Sequence, residues 1–154
     1  MPFKDKIADV ARRLEMVRSR TDLGEEATKT SIILPFLGAL GYDVFNPNEV
    51  HPEYIADVGV KKGEKVDYAV FLEDKVEIIV EAKPFTTSLQ DAQYSQLYRY
   101  FGVTEARIAL LTNGAEFWFF TDIDAPNKMD ERPFFKFTLA AYDDGDLREL
   151  EKFA

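Results

Sequence analysis

The sequence predicts an α/β or α+β fold in which a mixed β-sheet is flanked by helices. Two observations predict it. Apolar residues recur at helical spacing through the first forty residues, and β-rich segments bounded by turn residues then dominate residues 42–121, with one helical segment between them. The resulting order of elements is α-α-β-β-β-α-β-β, followed by a tail.

The first forty residues are expected to form two helices. The apolar spacing predicts an amphipathic helix over residues 3–20. Thr21 or Asp22 is expected to cap a second helix, which ends at Gly41 because glycine readily adopts the left-handed conformation that follows many helices. Pro35 lies inside this helix and should kink it or reset its start.

The predicted sheet is assembled from short β-rich segments. The segments are 42–45, 66–72, 76–82, 107–111, 116–121 and, as an edge strand, 135–139. Residues 73–75 are expected to form a three-residue hairpin loop, and Asn113-Gly114 is a strong signal for a second hairpin. Residues 88–101 are predicted to form the intervening helix, capped by Ser88, and residues 145–153 a short final helix.

Length and composition indicate a single domain spanning residues 1–154. The chain has 46% hydrophobic and 14% aromatic residues, which suits a globular protein with a core of its own. It contains no cysteine, so disulfides and thiolate metal sites are excluded. It shows neither a membrane-spanning apolar run nor a signal-peptide apolar region, so we expect a cytoplasmic protein without a membrane partner.

The net charge of −9 argues against a protein that coats nucleic acid non-specifically, because such binding needs a basic surface. Two local basic patches could still contact DNA. Residues 1–22 carry six Lys or Arg against four Asp or Glu, and residues 61–65 carry three lysines. An ordinary solvated surface explains both patches equally well.

Two acidic residues face each other in the predicted hairpin of residues 66–82. With a three-residue loop, counting back from the turn places Asp67 opposite Glu81. Opposed side chains on one sheet face have Cβ atoms about 4.5–5.5 Å apart. Two carboxylates this close repel each other unless a cation lies between them, and Mg²⁺ or Mn²⁺ prefers such hard oxygen ligands.

Lys83 adds an ammonium to the same face, because it lies two residues from Glu81 along a strand, whereas Ala82 points the other way. A metal held by carboxylates activates water, and a nearby ammonium stabilises charge on a phosphate. The pattern therefore favours metal-dependent phosphodiester hydrolysis. A surface salt bridge is the alternative, but the apolar run 78–80 indicates a central strand buried on both faces.

The sequence resembles the PD-(D/E)xK nuclease superfamily, and within it the N-terminal nuclease domain of type I restriction enzyme restriction (R) subunits. The resemblance spans roughly residues 22–121, and its elements occur in the family's order. The residues that carry it are EEAT at 25–28, PFLGALGYDV at 35–44, VDYA at 66–69, VEAK at 80–83, QLYRY at 96–100 and LTNG at 111–114.

The resemblance implies a restriction-endonuclease-like sheet and assigns the central residues. Asp67 matches the metal-binding aspartate of the family. Glu81 and Lys83 match its (D/E)xK pair. The backbone carbonyl of Ala82 would be a further ligand of the metal ion, which is expected to be Mg²⁺, with Mn²⁺ as a substitute.

Three further side chains are expected to join this catalytic site. A helical glutamate often does so in the family, and Glu25 is our choice, with Glu26 as the alternative. Gln96 and Tyr100 match a Q-x-x-x-Y element. They lie four residues apart on one helix face, so both side chains can point at the same site.

The resemblance implies a metal-dependent DNA endonuclease. Its expected partners are DNA, a motor or specificity subunit or further domain that this chain lacks, and, for double-strand cleavage, a second copy of the chain. The chain contains no G-x-x-x-x-G-K-[ST] sequence, so ATP-coupled translocation is not expected, and both a free-standing relative and a fragment of a longer protein stay open.

Two competing hypotheses remain. The charge of −9 and the missing motor favour a non-catalytic nucleic-acid-binding or assembly module that keeps the nuclease fold. A structural interaction domain is a third option, and it predicts that Asp67, Glu81 and Lys83 do not converge in space.

Overall fold

The computed structural model of the protein describes residues 1–20, 22–56 and 64–154. The helices are α1 (Phe3–Val17), α2 (Glu25–Thr28), α3 (Leu34–Ala39), α4 (Ser95–Val103) and α5 (Asp144–Glu151), with a π-helical segment, Lys29–Ile33, between α2 and α3. The strands are β1 (Val50–Tyr54), β2 (Val66–Leu72), β3 (Lys75–Ala82), β4 (Ile108–Thr112), β5 (Glu116–Phe120) and β6 (Phe135–Thr138). Across these described ranges, no helix is both long and apolar enough to cross a membrane.

The strands form a six-stranded mixed sheet in the order β1-β2-β3-β4-β5-β6. β3 and β4 are parallel, and the other neighbouring strands are antiparallel. Parallel neighbours need a long crossover connection, and α4 lies in the one that joins β3 to β4. The structure therefore confirms the predicted α+β fold with a mixed sheet.

Helices cover both faces of the sheet, as predicted. On one face, α1, α3 and α5 contribute Ile7, Phe36 and Leu150 to an apolar core. On the other face, α4 contributes Leu97 and Phe101 to a second core. β3 lies between β2 and β4 and supplies side chains to both cores, which confirms that it is a central strand buried on both faces.

The hairpin between β2 and β3 reaches the predicted register by a different route. The predicted three-residue loop is wrong, because only Glu73 and Asp74 form the turn. Their φ angles of 52° and 66° are those that a two-residue type I′ turn requires. A register shift between Val70 and Phe71 then adds one residue on the β3 side. The bulge compensates for the shorter loop, so the far end of the hairpin pairs as predicted.

The predicted strand at residues 42–45 is wrong. Gly41 ends the preceding helix as expected, with a φ of 107°. The chain then turns, and the Asp43 side chain accepts a hydrogen bond from the Phe45 backbone N–H at 3.0 Å. Such local bonds use backbone groups that a strand would pair with a neighbour. The first strand is instead β1, in a segment for which no strand was predicted.

The second predicted helix is present but starts differently. Thr21 lies outside the described residues, and Asp22 is not the cap, because α2 begins three residues later and Asp22 pairs with Arg20 at 2.7 Å. Pro35 resets the helix without breaking it. The π-helical segment closes with a bond from the Leu34 N–H to the Lys29 carbonyl, and Pro35 then occupies the first turn of α3, where its missing N–H is tolerated.

The predicted helix over residues 88–101 begins only at Ser95. Ser88 does not cap it. Its carbonyl instead accepts a bond from the Asp91 N–H at 3.1 Å, which closes a turn. Leu89 is buried within that turn and anchors it on the second core. Burial of one apolar residue therefore sets the path of a segment whose local pattern favours a helix.

The Asn113-Gly114 turn joins β4 to β5, as predicted, and we expect Gly114→Ala to destabilise the protein by about 2–4 kcal/mol. Gly114 has a φ of 88°, and an added Cβ would lie 2.8 Å from the Phe85 ring and 2.9 Å from the Thr28 methyl group. Chemical denaturation measures the loss. Gly38→Ala is the matched control, because its Cβ meets nothing within 4 Å and should stabilise α3. Equal effects of the two substitutions would contradict this account.

Candidate functional site

Asp67, Glu81 and Lys83 lie together at one end of β2 and β3. Tyr68 pairs with Val80, and one further step along the hairpin sets Asp67 opposite Glu81, as the sequence predicts. This convergence contradicts the structural-domain hypothesis. The three residues line a polar cleft of about 370 Å³ together with Glu25, Lys65, Gln93, Ser95 and Gln96.

Asp67 is held through both of its carboxylate oxygens. Its Oδ2 accepts a hydrogen bond from the Ala82 backbone N–H at 2.7 Å. Its Oδ1 lies 2.7 Å from the Nζ of Lys29. The Ala82 side chain is buried on the opposite face, as predicted, so only the backbone of this residue reaches the site.

Glu81 is a buried carboxylate whose negative charge has few stabilising contacts. Its side chain is 9% exposed, and no described residue donates a hydrogen bond to its Oε2. The ammonium of Lys83 lies 3.4 Å from this oxygen. Burial raises the pKa of Glu81 to about 7, and the charge of Lys83 opposes the rise while the charge of Asp67 adds to it. A cation in the cleft would relieve this cost.

The sheet fixes the backbone of Lys83. Lys83 follows the last residue of β3, and its N–H donates to the Thr112 carbonyl at the end of β4, at 2.8 Å. The parallel pairing of the two strands therefore sets where the side chain leaves the sheet. That side chain is 24% exposed, so its ammonium touches both Glu81 and the open cleft.

The structure distinguishes between the two candidate helical glutamates. Glu25, the first residue of α2, lines the cleft, and burial, assisted by the charge of Asp67, raises its pKa. Glu26 does not line the cleft, and its side chain is 86% exposed. It contacts the ammonium of Lys29 at 3.0 Å.

Gln96 and Tyr100 do not share the cleft. Gln96 lines it from the first turn of α4. Tyr100 is fully buried in the second core, and its hydroxyl donates to the backbone carbonyl of Glu64. Tyr100 therefore supports the segment that leads to Lys65, which does line the cleft.

Sequence reasoning missed Lys29, as well as Gln93 and Ser95, and it named Lys65 only as part of a basic patch that could contact DNA. Lys29 is 8% exposed and lies in the π-helical segment. Burial lowers its pKa, but hydrogen bonds to Asp67 and Glu26 outweigh burial and hold the pKa above its ordinary value. The sequence does carry a signal for this residue, because Lys29 follows Glu25 by four positions and so shares its helix face.

Three carboxylates, from Glu25, Asp67 and Glu81, thus line the cleft together with Lys65 and Lys83. Lys29 is not a lining residue but contacts Asp67 from the helix side. In the part of the chain that the structure describes, no group of three or more acidic or histidine side chains is arranged to hold one metal ion. A cation site here would therefore rest on two carboxylates and on backbone oxygens.

A family model described as "Type I restriction enzyme R protein N terminus (HSDR_N)" matches residues 24–132, which is more than half of the chain. The match includes every residue that lines the cleft. Searches of curated proteins and of solved structures returned no match.

Proposed function

Because the chain belongs to the family of type I restriction enzyme R protein N termini, we propose that it is a metal-dependent DNA endonuclease of the PD-(D/E)xK type. The observation that carries the proposal is the placement of Asp67 opposite Glu81, with Lys83 at 3.4 Å from Glu81, in one polar cleft. The family description supports a nuclease-related role, and the cleft supplies groups suited to phosphodiester hydrolysis.

The residues present fit a Mg²⁺ ion, with Mn²⁺ as a substitute. Asp67, Glu81 and the Ala82 carbonyl supply hard oxygen ligands, which both ions prefer. The buried Glu81 Oε2 has the Lys83 ammonium at 3.4 Å but no hydrogen-bond donor among the described residues. This supports a cation at this position, because buried polar atoms usually have a hydrogen-bond partner or a bound ion. The bound ion would activate a water molecule and polarise the phosphoryl oxygen.

The other cleft residues have roles that follow from their positions. The Lys83 ammonium, held by β3 and β4, stabilises negative charge that develops on the phosphate. Glu25 supports the metal site or the attacking water from the helix side. Gln96 donates or accepts hydrogen bonds at the rim, and Tyr100 shapes the site indirectly through the segment that precedes Lys65.

DNA is the proposed substrate, and further subunits are the proposed partners. The net charge of −9 means that DNA contacts depend on local cations, of which Lys65 and Lys83 line the cleft. Of the predicted basic loop 61–65, residues 61–63 lie outside the described residues. A motor or specificity subunit would supply further DNA contacts, and a second copy of the chain would supply the second cut. A cytoplasmic location suits this role.

A non-catalytic nucleic-acid-binding or assembly module is the alternative. One observation favours it: the ammonium of Lys29 lies on Asp67 at 2.7 Å and so already neutralises this carboxylate. In that case the chain would bind DNA or a partner subunit without cleaving it.

We expect the purified chain to nick or cut plasmid DNA in Mg²⁺ or Mn²⁺ and cleavage to stop when EDTA removes the ion, because the proposed mechanism relies on the ion to activate water and polarise the phosphate. Gel electrophoresis measures the cleavage, and calorimetric titration measures the binding of Mn²⁺ in a parallel experiment. Saturable Mn²⁺ binding with cleavage supports the endonuclease. DNA binding with neither cleavage nor Mn²⁺ binding would contradict it and favour the alternative.

A further inference from the structure

A buried lysine contacts a carboxylate of the cleft, and the proposed hydrolysis assigns this lysine no role. Lys29 is 8% exposed, and its Nζ lies 2.7 Å from Asp67 Oδ1 and 3.0 Å from Glu26 Oε1. Lysine is almost never this buried unless it is paired. The pairing places a positive charge beside Asp67, a proposed metal ligand.

The two oxygens of Asp67 have different partners. Oδ2 accepts the Ala82 N–H at 2.7 Å, a contact that fixes the carboxylate against the neighbouring strand. Oδ1 lies 2.7 Å from the Lys29 ammonium, so a divalent ion bound to Asp67 would share this carboxylate with Lys29. An ammonium and a divalent cation at the same carboxylate repel each other strongly in a partly buried site. Each must therefore weaken the hold of the other on Asp67.

The backbone of Lys29 is anchored where it is. It opens the π-helical segment, whose residues Ile32 and Ile33 are fully buried in the first core. Helical segments of this kind are frequent at functional sites because they redirect side chains. With the backbone fixed, a change of partner requires only a movement of the side chain. Glu26 offers the second partner, since its side chain is 86% exposed and already touches the Lys29 ammonium.

We propose that Lys29 is a built-in counter-cation that competes with the divalent metal ion for Asp67. In the metal-free protein it holds Asp67 Oδ1, and when the ion binds it gives up this oxygen and keeps Glu26. The inference rests on the proposed function, because it takes Asp67 and Glu81 as the metal site. Lys29 is thus a positioning residue that makes the folded metal-free state stable and weakens metal binding.

The test is calorimetric titration of Mn²⁺ into the wild-type chain and into Lys29→Met. We expect Lys29→Met to bind Mn²⁺ about tenfold more tightly or better, within the usual range for two ligands coupled at one site. We also expect a lower melting temperature without metal and a larger rise on adding Mn²⁺, because Asp67 then lacks its cation. Lys65→Met is the matched control. It removes the same charge from a residue that lines the cleft, but the partner of Lys65 is Glu53 at 2.7 Å and not Asp67, so its effect should be clearly smaller.

Lys29→Gln is a second variant for the case that Lys29→Met does not fold. Its amide can still donate a hydrogen bond to Asp67 but carries no charge. A purely structural role predicts lower stability with unchanged or weaker Mn²⁺ binding, and that result would overturn the inference while the proposed function stands. Binding by Lys29→Met or Lys29→Gln but not by the wild type would support the inference and overturn the metal-dependent nuclease. Binding by none of these proteins would overturn both.

Discussion

Replacing Lys83 with alanine is expected to slow DNA cleavage in Mg²⁺ by about 100- to 1,000-fold, the usual effect of removing one preorganised electrostatic contact from an active site. The bond to Thr112 fixes the Lys83 backbone, and the ammonium lies 3.4 Å from Glu81. Water cannot replace it, because water reorganises during the reaction whereas the lysine is already in place. Single-turnover cleavage of plasmid DNA measures the rate.

Lys75→Ala is the matched control for this variant. Lys75 begins β3, the same strand that Lys83 follows, but it lies at the opposite end and is exposed to solvent. The Lys75→Ala variant should therefore cleave DNA at the wild-type rate. Mn²⁺ binding should survive in Lys83→Ala, since Lys83 is not a proposed ligand. Undiminished cleavage by Lys83→Ala would remove Lys83 from the mechanism.

Replacing Glu81 with glutamine is expected to abolish cleavage and yet stabilise the metal-free protein at pH 8. Burial raises the pKa of Glu81 to about 7, from an ordinary value of 4.5. Above pH 7 the folded protein must therefore carry a buried negative charge that the unfolded chain exposes to water. Glutamine keeps the shape of the side chain and carries no charge, so it avoids this cost but cannot bind the ion as a carboxylate does.

The direction of the pH dependence follows from the raised pKa. A carboxyl group with a higher pKa in the folded state contributes its stability below the unfolded pKa of 4.5 and loses it as pH rises through about 7. The difference between these two pKa values sets an upper limit of roughly 3–4 kcal/mol on the change in stability. The gain of Glu81→Gln over the wild type should therefore be small at pH 4 and approach this limit at pH 8.

Chemical denaturation in EDTA at pH 4 and pH 8 measures this difference, and Mn²⁺ titration tests the loss of binding. Glu73→Gln is the control, because Glu73 is an exposed residue of the β2–β3 turn, so its replacement should change stability little at either pH. A Glu81→Gln variant that is less stable than the wild type at pH 8 would contradict the proposed cost. Stability gained where activity is lost is the usual signature of a functional residue.

The sequence by itself determined the fold class and the central part of the site. Apolar spacing distinguishes helices from strands, and a strand places every second side chain on the same face, so Glu81 and Lys83 had to point the same way. Gly41 and Gly114 were readable because few other residues tolerate their positive φ angles. The facing pair of Asp67 and Glu81 was predicted correctly, although the length of the loop was not. The bulge between Val70 and Phe71 restored the pairing of β2 with β3. Burial of both faces of the sheet requires this pairing, because a slip by one residue would move every side chain to the other face.

Only the tertiary structure decided which distant groups surround those residues. Whether Lys29 reaches Asp67, whether Tyr100 faces the cleft or Glu64, and whether Thr112 anchors Lys83 depend on how helices and strands pack against each other. The same is true of the raised pKa of Glu81, which comes from burial in the folded chain. Local periodicity fixes the direction of a side chain, whereas its partners, burial and charge environment are set by segments far away in the sequence.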